Sequence, residues 1–453
     1  MAYPVHRIRD FKELLLHAAS SFGEEPLFCT DREEISFADF WELVRRAAAG
    51  GTRVPKGVVI YSIEQQKLFA IGYFALILTG HTLCLLPDGH PIPDTMVGYP
   101  VVTEEDLEQW LMLEPADPSM LQAPEPNAPC TVAFSSGTSA VPKGVVLSQK
   151  NLLTDTQLGM MRHRYWLGER LVHMLPYRHL FGLLTDLLAP LHAGVSVFLP
   201  ASPLHFFHGL RSFRPHSLHI PPSVADALCA AISAAPTPES VTGGSLEKLM
   251  CAGAPLKEET ARTLLQHGIL PCAAYGLTEC SPCVSLTGEE DIRIGSAGPP
   301  LDHVSVKLAE DGEILVGGDT VMLGYFQDEA ATRDRIREGY LHTGDLGRFD
   351  ECGHLWIVGR KSSMLVFSNG RKCIPENVES RINAVEGIEE SVVSQYKTEI
   401  HEIPVVTVVT PLSSEQLRPH IDEIMRERDL YPYQLIIRAQ PIPKNAMGKV
   451  KRT

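Results

Sequence analysis

The chain's 453 residues, 44% of them hydrophobic, suffice for roughly three domain-sized units with a sizeable buried core, so a globular protein is expected. A formal net charge of −15 argues against a nucleic-acid role, because gripping a phosphate backbone requires a basic surface. The N-terminal run MAYPVHRIRDFKELLLHAAS scatters charges among its apolar residues, so no signal peptide is expected. Ten cysteines without regular spacing suit a reducing compartment, and a cytoplasmic protein follows.

In chain order, the two longest apolar runs, 68–87 and 183–200, share one grammar. Each reads as an apolar helix, a glycine (Gly80, Gly194) and a short strand ending at proline, which is half of a βαβ unit rather than a membrane span. Further strands are predicted at GVVIY (57–61), TVAF (131–134), GVVLS (144–148), LHI (218–220) and KLMCAG (248–253). Continuous apolar strands alternating with helices indicate mostly parallel α/β sheets. From Asp302 the texture alternates apolar and polar residues around an Asp-Gly pair, which predicts a small antiparallel β subdomain. After VGRKSSM (358–364) the chain reads strand, helix (375–385), strand (405–410), helix (413–428) and strand (LIIRA), a compact α+β unit. The division expected is 1–359 for a large N-terminal domain and 360–453 for a small, mobile C-terminal one. CSPC, Cys280 to Cys283, lacks the second ligand pair that a zinc site needs.

The stretch FSSGTSAVPKGV (134–145) sets hydroxyls, glycines and a lysine on one loop between two strands, an arrangement suited to phosphate oxygens. It is not a Walker P-loop, which from Gly137 would need Gly at 142 and Ser or Thr at 144; Pro142 and Gly144 stand there. The loop resembles the phosphate-binding loop of the adenylate-forming enzymes, the superfamily of acyl-CoA synthetases, aryl-CoA ligases, luciferases and peptide-synthetase adenylation domains. The family's other elements follow in order: LPYRHLFGL (175–183), CAGAPL (251–256), YGLTE (275–279), HTGDLGRFDECGHLWIVGRK (342–361), SNGRKCIPENVE (368–379) and PKNAMGK (443–449). The resemblance runs from about Ile35 to the last residues.

That resemblance implies activation of a carboxylic acid by ATP as acyl-AMP, with Mg2+, and transfer to a thiol, CoA or a phosphopantetheine. It assigns Ser135, Ser136, Gly137, Thr138, Ser139 and Lys143 to the phosphates, and Gly253, Ala254, Pro255, Tyr275, Gly276 and Ile357 to the rest of the nucleotide. Thr278 is placed near the α-phosphate, Glu279 and Thr138 at the metal, and Asp345 and Arg360 at the ribose. His179, Phe181 and Gly253 line the acyl pocket, His179 also gating the route to the thiol, and the catalytic set is Lys449, the lysine of adenylation, with His179, Thr278 and Glu279. No aspartate in LPYRHLFGL is placed to pair with an ammonium, so a fatty or aromatic acid is expected rather than an amino acid. Two alternatives stay open: an acyl-AMP ligase that loads an acyl carrier protein, and a degenerate member that binds nucleotide or acyl ligand without turnover.

Overall fold

A computed structural model describes residues 3–86, 92–134, 143–367, 372–397 and 402–442. By contacts along the chain it divides into two units. The first comprises residues 1–306, 316–342 and 351–355; the second comprises 307–315, 343–350 and 356–453.

The first unit holds two large sheets. One has eight strands in the order Cys283–Leu286, Leu270–Gly276, Lys248–Cys251, Ser217–Ile220, Arg170–Val172, Ser196–Phe198, Pro26–Cys29 and Glu34–Ser36. Its interior pairs are parallel, and both edges are antiparallel. The other has six, in the order Gly324–Tyr325, Gly144–Ser148, Pro129–Phe134, His81–Leu85, Gly57–Ser62 and Val101–Thr103. Every strand expected from sequence in this region is present, and the α/β class holds.

The helix-glycine-strand grammar holds too. Helix Gln66–Leu78 is buried on all sides from Leu68 to Leu78, as its unbroken apolar run requires, and Gly80 takes a positive φ of 92° before strand His81–Leu85. Gly194 repeats this with φ 69° between helix Ala189–Ala193 and strand Ser196–Phe198. Both glycines occupy the left-handed conformation that other residues avoid. No helix among the described residues is long and apolar enough to cross a membrane.

The strands expected after Asp302 are Ser305–Leu308, Glu313–Gly317, Tyr340–Phe349 and Leu355–Arg360, with Asp311 and Gly312 turning between the first two. In the second unit, helices Pro375–Asn383 and Ser414–Glu427 pack Val378, Ile382, Leu417, Ile421 and Met425 against Val393, Val406 and Val408. The sheet order is Glu390–Lys397, Glu402–Val409, Gln434–Arg438, the first pair antiparallel and the second parallel. Strand Glu390–Lys397 was not anticipated. Its ESVVSQYK sequence has only two adjacent valines and a tyrosine as apolar residues, and its pairing with Glu402–Val409 supplies what local pattern does not.

Candidate active site

Strands Pro129–Phe134 and Gly144–Ser148 run antiparallel, with Phe134 opposite Gly144. This register brings the two ends of the phosphate loop side by side. Ser135, Ser136, Gly137, Thr138 and Ser139 themselves lie outside the described residues, as does Lys449. Lys143, at the loop's exit, is exposed, and its Nζ stands 5.0 Å above the ring of Tyr325. Strand Gly324–Tyr325 pairs with Gly144–Ser148, placing Tyr325 opposite Val145. From there the Tyr325 hydroxyl donates to Glu279 Oε1 at 2.8 Å, while Arg335 approaches the same oxygen at 3.9 Å. Burial, and then the Glu279 carboxylate, push the Tyr325 hydroxyl proton's pKa up, so it stays a donor. One side chain thus links the loop lysine to the buried Glu279. Tyr325 and Arg335 were missed from sequence, because neither sits in a hydroxyl- or glycine-rich run; GYFQDEAATRDR reads as a turn and an ordinary amphipathic helix.

Strand Leu270–Gly276 delivers Tyr275, half-buried, and Gly276, exposed, to its C-terminal end. The turn Thr278–Cys280 then places Thr278 half-buried and Glu279 buried, and Met322 N–H donates to the Glu279 carbonyl at 2.9 Å. The neighbouring parallel strand Lys248–Cys251 ends opposite Ala273, so Gly253, Ala254 and Pro255, all exposed, leave the sheet beside Tyr275. A β-carbon added at Gly253 would meet nothing within 4 Å, which leaves room for a ligand against the backbone. The C-terminal ends of parallel strands are where open α/β sheets bind ligands.

In the LPYRHLFGL segment, His179 is exposed at the N-cap of helix Leu180–Leu183, and Phe181 is half-buried with its ring edge-on to His219 at 6.3 Å. Gly182 permits this turn: a β-carbon there would lie 2.3 Å from the Leu175 carbonyl oxygen.

In the second unit Asp345 is buried, and Arg360 Nε meets its Oδ1 at 2.8 Å while the guanidinium side chain is 44% exposed. Asp345 N–H donates to Thr343 Oγ1, which in turn donates to the Ile314 carbonyl. Ile357 is half-buried on strand Leu355–Arg360. Next to it in sequence, Lys361 bridges Asp311 (2.6 Å) and Glu313 (2.9 Å), a fixed contact that the sequence did not reveal.

A model of the AMP-binding enzyme family matches residues 90–326, just over half of the chain. The chain belongs to the AMP-binding enzymes. Among its relatives is the indoleacetate–CoA ligase of Aromatoleum aromaticum, 27% identical over 379 residues, covering 79% of this chain and 73% of that one. Another is the long-chain-fatty-acid–CoA ligase FadD15 of Mycobacterium bovis, 28% identical over 334 residues; the match covers 63% of this chain and only 56% of that protein. In fold the chain is similar to the O-succinylbenzoate coenzyme A synthetase MenE of Bacillus subtilis in complex with ATP and magnesium, with a TM-score of 0.80, 21% identity, and coverage of 97% of this chain and 98% of that one.

The donor set of this AMP-binding enzyme fits a nucleotide-borne Mg2+. Among the described residues no cluster of three or more His, Cys, Asp or Glu side chains could cage a metal. Mg2+ keeps its waters and phosphate oxygens and needs only one or two carboxylates, which Glu279 can supply beside Lys143 and the loop. When bound, the ion would neutralise charge on the phosphates and on the departing pyrophosphate.

Proposed function

We propose that this AMP-binding enzyme is an ATP-dependent carboxylate:thiol ligase, using CoA as the thiol and a fatty or aromatic acid without a free α-amino group. The observation that carries the reading is the alignment of Lys143, Tyr325 and Glu279 at the mouth of the phosphate loop. In the first half-reaction a carboxylate oxygen attacks the α-phosphorus of ATP, and pyrophosphate leaves with the bonding pair. In the second, the thiol sulfur attacks the acyl carbon, its proton is released, and AMP departs. Residues Ser135 to Lys143 donate to the β- and γ-phosphates, replacing water around a departing polyanion. Thr278 serves the α-phosphate, Glu279 the metal, and Tyr275, Gly276 and Gly253 to Pro255 the adenine side. Asp345 accepts from the ribose hydroxyls, with Arg360 fixing its carboxylate and Ile357 packing alongside. Lys449, on a mobile domain running from 360 to 453, supplies positive charge at the α-phosphate for the first half-reaction.

The substrate class rests on the acid side. His179 and Phe181 offer an ammonium no anion, and the buried carboxylate further along the same helix, Asp186, has both oxygens engaged by histidines. The indoleacetate and long-chain fatty-acid ligases among the relatives point the same way. A cytoplasmic location is proposed from the ten cysteines, which form no disulfide among the described residues, as suits a reducing compartment.

Pyrophosphate exchange with a panel of carboxylates tests the reading. Exchange with fatty or aromatic acids is expected; exchange with amino acids alone overturns the substrate class, and exchange with none favours a non-catalytic binder. Adding CoA or a phosphopantetheinyl carrier protein to the adenylating enzyme separates the two acceptors.

A further inference from the structure

Behind the segment that carries His179 and Phe181 runs a buried chain of polar groups that the reaction does not use. Helix Leu180–Leu183 continues through a π-helical turn, Leu184–Leu188, into helix Ala189–Ala193. Pro190 has no N–H to offer the carbonyl of Asp186 one turn earlier, and the Tyr177 hydroxyl donates to that carbonyl instead, at 3.2 Å. The Asp186 side chain is fully buried. Its Oδ2 lies 3.0 Å from His173 Nδ1 and its Oδ1 2.7 Å from His219 Nδ1, and Thr185 Oγ1 donates to Oδ1 at 2.9 Å. Burial alone would raise the Asp186 pKa, but the two histidine hydrogen bonds outweigh it and hold the pKa below the ordinary carboxylate value.

Counting donors locates a proton. Gln66 Nε2 donates to the Glu64 carbonyl, which fixes the amide's orientation, and Gln66 Oε1 accepts from Tyr177 N–H at 2.8 Å. That same oxygen lies 3.3 Å from His173 Nε2. Two acceptors cannot bond, so His173 Nε2 must carry a hydrogen; Nδ1, facing a carboxylate, must carry one as well. His219 differs: its Nε2 faces the Tyr165 hydroxyl at 3.4 Å, and that hydroxyl can turn its one proton either to the ring or to the Thr185 carbonyl at 3.5 Å, so a second ring proton is not required there. His163, whose ring lies 5.2 Å from His219, is held neutral by burial and then by the positive Lys248 nearby. The contacts thus require a second ring proton at His173 and leave it optional at His219, which points to the His173 side of Asp186 for the positive charge.

We propose that His173 is a positioning residue, held as an imidazolium against Asp186, and that this buried pair clamps the segment 177–186 at both ends. At one end His173 reaches Tyr177 N–H through Gln66; at the other it binds Asp186, which also fixes His219 and, through that ring, Phe181. The clamp sets where His179 and Phe181 stand against the acid, and this part rests on the ligase reading. A buried ion pair is poor evidence for stability, since an apolar replacement often does as well, but it specifies geometry. The pair spans strand Arg170–Val172, the adjoining His173 and the π-helical turn, elements that a hydrophobic contact would let slide.

The test uses the full-length enzyme with 15N-labelled histidine. At about pH 8.5, well above the ordinary histidine pKa so that exposed rings are neutral, NMR should show a ring with both nitrogens protonated, a signal lost in His173→Gln and kept in His219→Gln. A wild-type spectrum in which the His173 ring has one unprotonated nitrogen overturns the proposal, and this reading needs no substrate or variant that folds poorly. Kinetically, His173→Gln and Asp186→Asn should raise KM for the acid about tenfold to a hundredfold, up to the scale of a 1 Å misplacement, with KM for ATP unchanged. An equal rise in both would mean general loosening and would refute the clamp. If the wild type adenylates no acid, the ligase reading fails and the acid half of the proposal with it, while the spectrum still decides the charge state.

Discussion

Glu279 and Asp186 are both buried carboxylates of the first unit, yet they are held differently. Glu279 has a tyrosine hydroxyl at 2.8 Å and a guanidinium at 3.9 Å, both against Oε1. Asp186 has an imidazole on each oxygen, at 2.7 and 3.0 Å, and a threonine hydroxyl besides. A carboxylate closed on both oxygens by rigid rings cannot turn to a ligand without leaving buried donors unsatisfied. One held mainly through a single oxygen can share its charge with an incoming cation. On the proposed function, the contrast separates a group placed to meet the reaction from one that shapes the walls around it.

Three substitutions probe the ligand-facing side of that contrast. The largest effect is expected from Lys449→Ala, which should slow acyl-AMP formation about a hundredfold to a thousandfold while leaving conversion of supplied acyl-AMP to thioester intact. Both half-reactions on one protein measure this, and equal loss in both would refute a role confined to adenylation. Glu279→Gln comes next, with activity falling about a hundredfold and partly recovering in excess Mg2+. Full activity at ordinary Mg2+ would move the metal elsewhere and erase the difference from Asp186. Smaller is Tyr325→Phe, which removes the hydroxyl but keeps the ring beneath Lys143. Losing one hydrogen bond to a charged group costs about 1.5–3 kcal/mol, roughly tenfold to a hundredfold, and with Arg335 still near the same oxygen the low end, roughly a tenfold rise in the Mg2+ requirement, is expected. Titration of Mn2+ binding with an ATP analogue reads the same shift without turnover, and an unchanged titration would make Tyr325 a packing residue only.

The two carboxylates also differ in how far sequence alone reveals them. Glu279 stands in YGLTE, one of the contiguous runs that carry the resemblance to the adenylate-forming enzymes, and the same holds for Asp345 in TGD and for Lys143 after the hydroxyl-rich loop. The parallel strands and the helix-glycine-strand units were equally plain, because a fully buried helix such as Gln66–Leu78 has to be apolar throughout. The acid-side clamp left no such trace. His173, Asp186 and His219 come from a strand end, a π-helical turn and another strand, and only the sheet order Ser217–Ile220 beside Arg170–Val172 brings them together. A lone histidine between LV and ML reads as a core residue. Tyr325 and Lys361 escaped notice likewise, since each acts across long stretches of chain on partners that spacing does not define.

Asp155 supplies the opposite case to Asp186 and the most delicate prediction. It lies on helix Gln149–His163, is as deeply buried, and accepts from Cys283 N–H at 3.1 Å, but among the described residues its Oδ1 has no partner and no histidine faces it. Burial therefore pushes its pKa well above the ordinary value, and the single backbone donor only partly offsets this. The signs of linkage then differ for the two aspartates. Asp186, with its pKa lowered, contributes stability that is present above the unfolded pKa and lost as pH falls through the folded one. Asp155, with its pKa raised, binds its proton more tightly folded than unfolded, so its contribution is fully present below the unfolded pKa and is lost as pH rises toward the folded one. Asn at 155 keeps an acceptor for Cys283 N–H and has nothing to titrate. Asp155→Asn should therefore raise Tm at mildly alkaline pH by on the order of 2 °C, and this gain should shrink on acidification toward the unfolded carboxylate pKa. Thermal unfolding of wild type and variant at both pH values measures it. A gain of the same size at both would mean that the Asp155 carboxyl is not titrating between them, and that burial without a counter-ion has not set it apart from Asp186.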